Sequence, residues 1–196
     1  MKRNIVIEGW TIEDHPKKQD VINKHRDINT NHDWWDSEYD WWKGQLQDRG
    51  FNNVDISFSG FGSQGDGASF TADIDVEKFI RFHKVSKKFA SLLAVIRNGH
   101  YISASVTRYS SHYVHSKTIR GNVDLEYQSA NKKTEDRVYQ QCNDIENLIT
   151  SVARDISGDI YKSLEKEADW LMGDEAVEET LRCNYYVFDT SGRIIA

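Results

Sequence analysis

The sequence predicts an α+β protein: a two-layer arrangement in which a mostly antiparallel sheet carries helices on one face, one of them long and C-terminal. Three observations lead there. Apolar residues alternate with polar ones in four segments between positions 54 and 126, the period of a half-buried strand. From Thr134 to Trp170 the apolar positions instead recur every three or four residues, the period of a helix. Between the first two alternating segments lies a glycine-rich stretch, which favours a hairpin over a parallel crossover.

The elements follow in order. Ile5, Val6 and Ile7 form a short β-prone run closed by Gly9, and Pro16 to Ile28 reads as a polar helix with its proline near the first turn. Asp33 to Gly50 carries Trp35, Tyr39, Trp42 and Leu46 at steps of 4, 3 and 4, with Asp33 able to cap and Gly50 to stop the helix. Val54, Ile56 and Phe58 alternate with Asp55, Ser57 and Ser59, and alternation resumes at Ala68, Phe70, Ala72 and Ile74. Asp75 starts a short helix to about His83, and Ser86 to Arg97 forms another that ends at Asn98-Gly99. Ile102, Ala104 and Val106, then Ile119, Val123 and Leu125, make a second hairpin. Val138, Cys142, Ile145, Leu148, Val152, Ile156, Ile160 and Leu164 trace one stripe along the long helix, which Gly158 has the capacity to bend. A helix from Asp174 to Cys183 leads to a last hairpin, Tyr185–Phe188 and Arg193–Ile195, around a DTSG turn. With no linker or internal repeat, residues 1–196 are expected to form one domain.

Composition narrows the function. The 196 residues include 25 Lys+Arg and 31 Asp+Glu, a net charge of −6, so a nucleic-acid backbone is not the expected partner. Hydrophobic residues make up 38% and charged residues 29%, and no apolar run has the length of a membrane span. Two cysteines, Cys142 and Cys183, match neither a metal spacing nor a disulfide framework, which suits a reducing cytoplasm.

In the four strands the parity opposite the apolar one is rich in hydroxyls: Ser57, Ser69, Thr71, Ser103, Ser105 and Thr107. The sheet is therefore expected to have one apolar and one wet face. Between Phe58 and Phe70 runs Ser59-Gly60-Phe61-Gly62-Ser63-Gln64-Gly65-Asp66-Gly67. Glycine permits positive φ, so successive amides can point into one concavity and hold anionic oxygens. The stretch is neither a P-loop nor a dinucleotide fingerprint. Serving only as a turn is the competing role.

Trp34, Trp35, Trp41 and Trp42 form two aromatic ridges on the second helix, of which the core needs one. Trp34 and Trp41 are the members expected at the margin, where a base can stack. His112 and His115 lie in Ser110-Ser111-His112-Tyr113-Val114-His115, within a β pattern that puts i and i+3 on opposite faces. That disfavours a two-histidine metal site but leaves each open to acid–base work. Asp66, His112 and His115 are the candidate catalytic groups; no nucleophile elbow or HExxH helix is present.

The core Phe58–Phe70 (FSGFGSQGDGASF), with His32-Asp33-Trp34-Trp35-Asp36, Ser110–His115 and Asp174-Glu175-Ala176, resembles a family of small proteins encoded by bacteriophages and plasmids, some described as antitoxin-like. Gly62 stands where a tryptophan is common in that family. The resemblance implies a mobile-element accessory protein in a bacterial cytoplasm, counter-defence being one such role, and implies no reaction.

Three functions are expected in descending order. The first is capture of a small anionic ligand such as a nucleotide signal, without cofactor or metal. Its ligand contacts would be Ser59, Gly60, Phe61, Ser63, Gln64, Gly65, Asp66, Gly67, Trp34, Trp41, Arg108, His112 and His115, with Lys117 and Arg120 as further cations. The second is a phosphodiesterase or other hydrolase using Asp66 with His112 or His115. The third is an antitoxin-like inhibitor that binds a host protein. Self-association is compatible with all three.

Overall fold

The computed structural model describes residues 9–110 and 112–196, so the Ile5–Ile7 run and Ser111 lie outside the described residues. The chain divides into two compact units. A sheet unit comprises Ser37–Ser163, and a terminal unit joins Met1–Asp36 to Leu164–Ala196. The architecture is α+β, with four strands, six α-helices and one 3-10 turn among the described residues.

In the sheet unit, helix α2 (Asp36–Asp48) leads to β1 (Phe51–Phe58) and β2 (Ala68–Ile74). Helices α3 (Val76–Phe82) and α4 (Ala90–Arg97) connect β2 to β3 (Ile102–Arg108), and β4 (Ile119–Leu125) precedes α5 (Lys132–Leu171). The sheet is antiparallel in the order β1-β2-β3-β4, so the β1–β2 and β3–β4 connections emerge at the same end. That placement puts the glycine-rich stretch beside the histidines.

The strands carry the expected alternation. Ile56 pairs with Phe70 and Ala72 with Val106, giving one buried apolar face. β1 starts earlier than the alternation indicates, because a bulge between Asn52 and Asp55 interrupts the period and puts Asn53 at φ 50. The hydroxyl parity is not uniformly wet. Ser69 is only 1% exposed and its Oγ has no partner among the described residues.

Helix starts depend on distant groups as much as on local caps. Asp75 Oδ1 accepts from Lys78 N at 2.9 Å, the expected N-cap of α3. Expected from Ser86, α4 begins instead at Ala90, after a turn, and Phe89 offers no side-chain cap. Gln141 of α5 supplies it: its Oε1 accepts from Leu92 N at 2.8 Å and its Nε2 donates to Lys88 O at 2.7 Å.

Along α5 the stripe is centred one residue beyond part of the expected line. Ile149 and Ala153 are fully buried, whereas Leu148 and Val152 are half-buried, because a 3.6-residue turn drifts against a strict four-residue step. Gly158 does not break the helix. Nothing lies within 4 Å of a Cβ placed there, so Gly158→Ala is expected to stabilise the protein by about 0.5–1 kcal/mol, read as a higher denaturant midpoint. A lower midpoint would mean that the helix needs glycine there.

The terminal unit has its own core of Ile12, Val21, Ile22, Val177, Leu181 and Phe188. Helix α1 (Lys18–Lys24) is shorter than the expected Pro16–Ile28 segment, and residues beyond it continue as turns. α6 (Asp174–Cys183) follows the expectation. Phe188 pairs with both Trp10 and Ile194, which places the last hairpin, and Asp189 closes its turn by accepting from Ser191 and Arg193 amides. The Ser191 hydroxyl also donates to Asp189 Oδ1, at 2.6 Å, and this bond first, with those from the two amides, holds the Asp189 carboxyl down at about 2. His15 Nδ1 accepts from Lys17 N while its Nε2 donates to Asp189 O, so the neutral ring ties α1's entry to the hairpin.

Candidate functional site at one end of the sheet

The glycine-rich stretch occupies residues 59–67 between β1 and β2. Ser59 and Gly67 extend the ladder, Ser59 N donating to Gly67 O at 3.1 Å, and the loop proper lies between them. Gly60, Gly62 and Gly65 all take positive φ, near 90–102°, as amide convergence requires. Asp66 turns into this loop. Its Oδ2 accepts from Ser63 N at 2.7 Å, and its amide donates to Ser63 O at 3.1 Å. The loop thus already holds one carboxylate of its own; the amides of Gly62, Gln64 and Gly65 have no acceptor among the described residues. Phe61 anchors the loop, its ring 5.2 Å from Phe58 and 5.4 Å from Tyr161 of α5.

The β3–β4 connection is not the strand continuation that the alternation suggests. Ser110 Oγ accepts from the amides of His112 and Tyr113, and His115 caps the 3-10 turn Ser116–Thr118. These side-chain acceptors compete with ladder pairing and fold the segment into a compact loop. It packs against the glycines. A Cβ at Gly65 would lie 2.7 Å from Tyr113 Cδ1, and one at Gly67 would lie 2.5 Å from His115 Cβ. Ser59 Oγ accepts from Gly67 N and lies 3.4 Å from Val114 O.

Gln64, Gly65, Tyr113 and His115 line an open cavity of about 310 Å³. Tyr113 is half-exposed, with His112 edge-on at 4.6 Å. His115 Nδ1 accepts from Lys117 N at 3.1 Å, which places the proton of the neutral ring on Nε2 as a donor. Asp66 makes no hydrogen bond to either histidine among the described residues. The arrangement offers donors and an aromatic face, and no assembled acid–base pair.

The other expected contacts divide. Arg108 pairs with Ile119 and so falls on the apolar parity, whereas Arg120 pairs with Thr107 on the polar face. Trp41 is exposed on α2, edge-on to buried Trp42 at 4.9 Å, and is not part of the cavity wall. Trp34 belongs to the terminal unit, edge-on to Trp35 at 5.7 Å. Tyr113 is the residue that the sequence reading passed over. Its signal was an aromatic between two histidines opposite a glycine loop. Burial, with Glu146 and Asp124 nearby, pushes the Cys142 thiol up to about 11, away from the thiolate form. Among the described residues no group of three or more His, Cys, Asp or Glu side chains is placed to hold a metal ion, and no helix is long and apolar enough to cross a membrane.

Fold and site together define an α+β protein whose two hairpin loops build a small polar cavity at one end of an antiparallel sheet. The chain belongs to a family described as a domain of unknown function, DUF8835, whose model matches residues 34–174 and so contains both loops. No curated protein and no solved structure matches the chain.

Proposed function

We propose that the protein binds and sequesters a small anionic ligand, such as a nucleotide signal, without transforming it. The observation that carries this reading is the convergence of the glycine loop and the 110–118 connection on one cavity, with amides, Gln64 and His115 as donors and Tyr113 as a stacking surface. Capture needs no acid–base pair, in keeping with Asp66 being occupied by Ser63 N. The overall negative charge is no obstacle at this site. The terminal unit has 15 acidic against 9 basic residues and so holds the whole net charge of −6, while the sheet unit has 16 of each. The likeness of the FSGFGSQGDGASF core to phage and plasmid proteins is the basis for the setting we propose, an accessory, counter-defence role in a bacterial cytoplasm.

The test is a panel of cyclic and linear nucleotides, with melting temperature and recovered nucleotide both measured. The expected result is an intact nucleotide and a stabilised protein, by about 2.7 kcal/mol at a hundredfold excess over Kd. Tyr113→Ala, at a half-exposed position, is expected to leave folding intact and weaken binding about tenfold or more. Degraded nucleotide would replace capture with hydrolysis. No shift with any nucleotide would overturn the reading and favour a protein partner.

A further inference from the structure

A second cavity, of about 390 Å³, lies wholly within the terminal unit, walled by Asn29, Trp170, Glu175, Glu179 and Thr180 among others. Its neutral polar groups are already committed. Asn29 Nδ2 donates to Leu171 O at 2.9 Å and its Oδ1 accepts from Thr180 Oγ1 at 2.7 Å, which uses both ends of the amide and stiffens the floor. Two kinds of group remain. One is the Trp170 ring, 62% exposed despite its size. The other is the pair Glu175 and Glu179, one turn apart on α6 and therefore on one side of it. Glu179 engages Arg182 and Cys183, but Glu175 has no partner among the described residues, although its neighbours Asp174 and Glu178 are paired with Arg26 and Lys18. No Lys or Arg lines the cavity.

A π face beside a carboxylate with no counter-ion is complementary to an organic cation. A planar guanidinium matches both, stacking on an indole and pairing two N–H donors with one carboxylate. We infer that this cavity receives an arginine side chain presented by a basic peptide segment of a partner protein. A peptide suits the site better than a free cation because the surrounding unit carries the whole excess of acidic residues, a field that adds attraction for each further positive charge on a segment. The site is independent of the sheet-end cavity, so failure of either leaves the other standing.

Calorimetric titration of the full chain with a capped eight-residue peptide holding one central arginine and flanking lysines tests it. Binding is expected to weaken as salt rises. Trp170→Ala and Glu175→Gln, both at exposed positions that leave the core untouched, are each expected to weaken it about tenfold, and lysine in place of the arginine several-fold. Absence of binding, or binding that neither substitution changes, overturns the proposal. Equal affinity for capped single arginine overturns the peptide as its source. Tyr113→Ala serves as the control and is expected to leave this titration unchanged.

Discussion

Gly50→Ala is expected to destabilise the protein by about 2–4 kcal/mol, lowering its melting temperature by roughly 5–15 °C. Gly50 follows α2 at φ +95, where any side chain costs about 1 kcal/mol. The larger part is steric. A Cβ there would lie 2.8 Å from Phe79 N and 3.1 Å from Asp75 O, both backbone atoms of the α3 start that cannot rotate aside. Gly50 O also accepts from Asp75 N at 2.9 Å, so the two segments are tied where they touch. Behind them Phe79 stacks edge-on against Phe51 at 5.6 Å, and Phe51 against Phe70 at 5.4 Å, all three fully buried. Pushing α3 away therefore opens the aromatic core. Gly44→Ala is the control: nothing lies within 4 Å of its Cβ position inside α2, and a gain of about 0.5–1 kcal/mol is expected. Matching effects of the two substitutions in denaturant titration would show that the close approach at Gly50 has no energetic weight.

Gly121→Ala is expected to be comparably damaging, at about 2–4 kcal/mol, for a different reason. β4 is an edge strand, and α5 satisfies its outward backbone groups with side chains. Thr150 Oγ1 accepts from Gly121 N at 2.8 Å, Glu146 Oε2 accepts from Val123 N at 3.0 Å, and Arg154 Nε donates to Ile119 O at 3.2 Å. That arrangement needs the helix very close. A Cβ at Gly121 would stand 2.6 Å from Ile149 Cγ2 and 3.0 Å from Glu146 O, and Ile149 is fully buried with nowhere to turn. The helix must lift, and the three edge bonds lengthen together. Amide hydrogen exchange at positions 121 and 123 should accelerate along with the loss of global stability. Thr150→Val, which keeps the packing volume and removes the acceptor for Gly121 N together with the hydroxyl's own bond to Glu146 O, is expected to cost less, about 1–3 kcal/mol. If Gly121→Ala leaves exchange at those amides unchanged, the edge is protected by something other than α5.

The boundary between what sequence reading reached and what it missed follows the range of the interactions. Alternation in Ile102–Thr107 and the three-to-four spacing along α5 are consequences of strand and helix geometry, so both were readable residue by residue. Asp75 was readable as a cap because its partner is three residues away. The start of α4 was not, because its cap is Gln141, about fifty residues further along. The site divides in the same way. Glycines 60, 62 and 65 announced a loop of positive φ, and positive φ is what the structure has there.

That Asp66 would occupy part of the loop's own donor set, that Tyr113 would line the cavity, and that Arg108 would share parity with Ile119 were settled by turn geometry and strand register. Charge is the contrary case: residues 164–196 hold 8 acidic against 3 basic residues, so most of the total of −6 sits in one contiguous segment and was readable without the fold. The sequence by itself determined the element types, the apolar face of the sheet and the presence of a glycine loop, since each depends on neighbours within a few residues. Tertiary structure alone decided which donors remain open and which helix guards the sheet edge, because these depend on contacts between segments that the chain brings together only when folded.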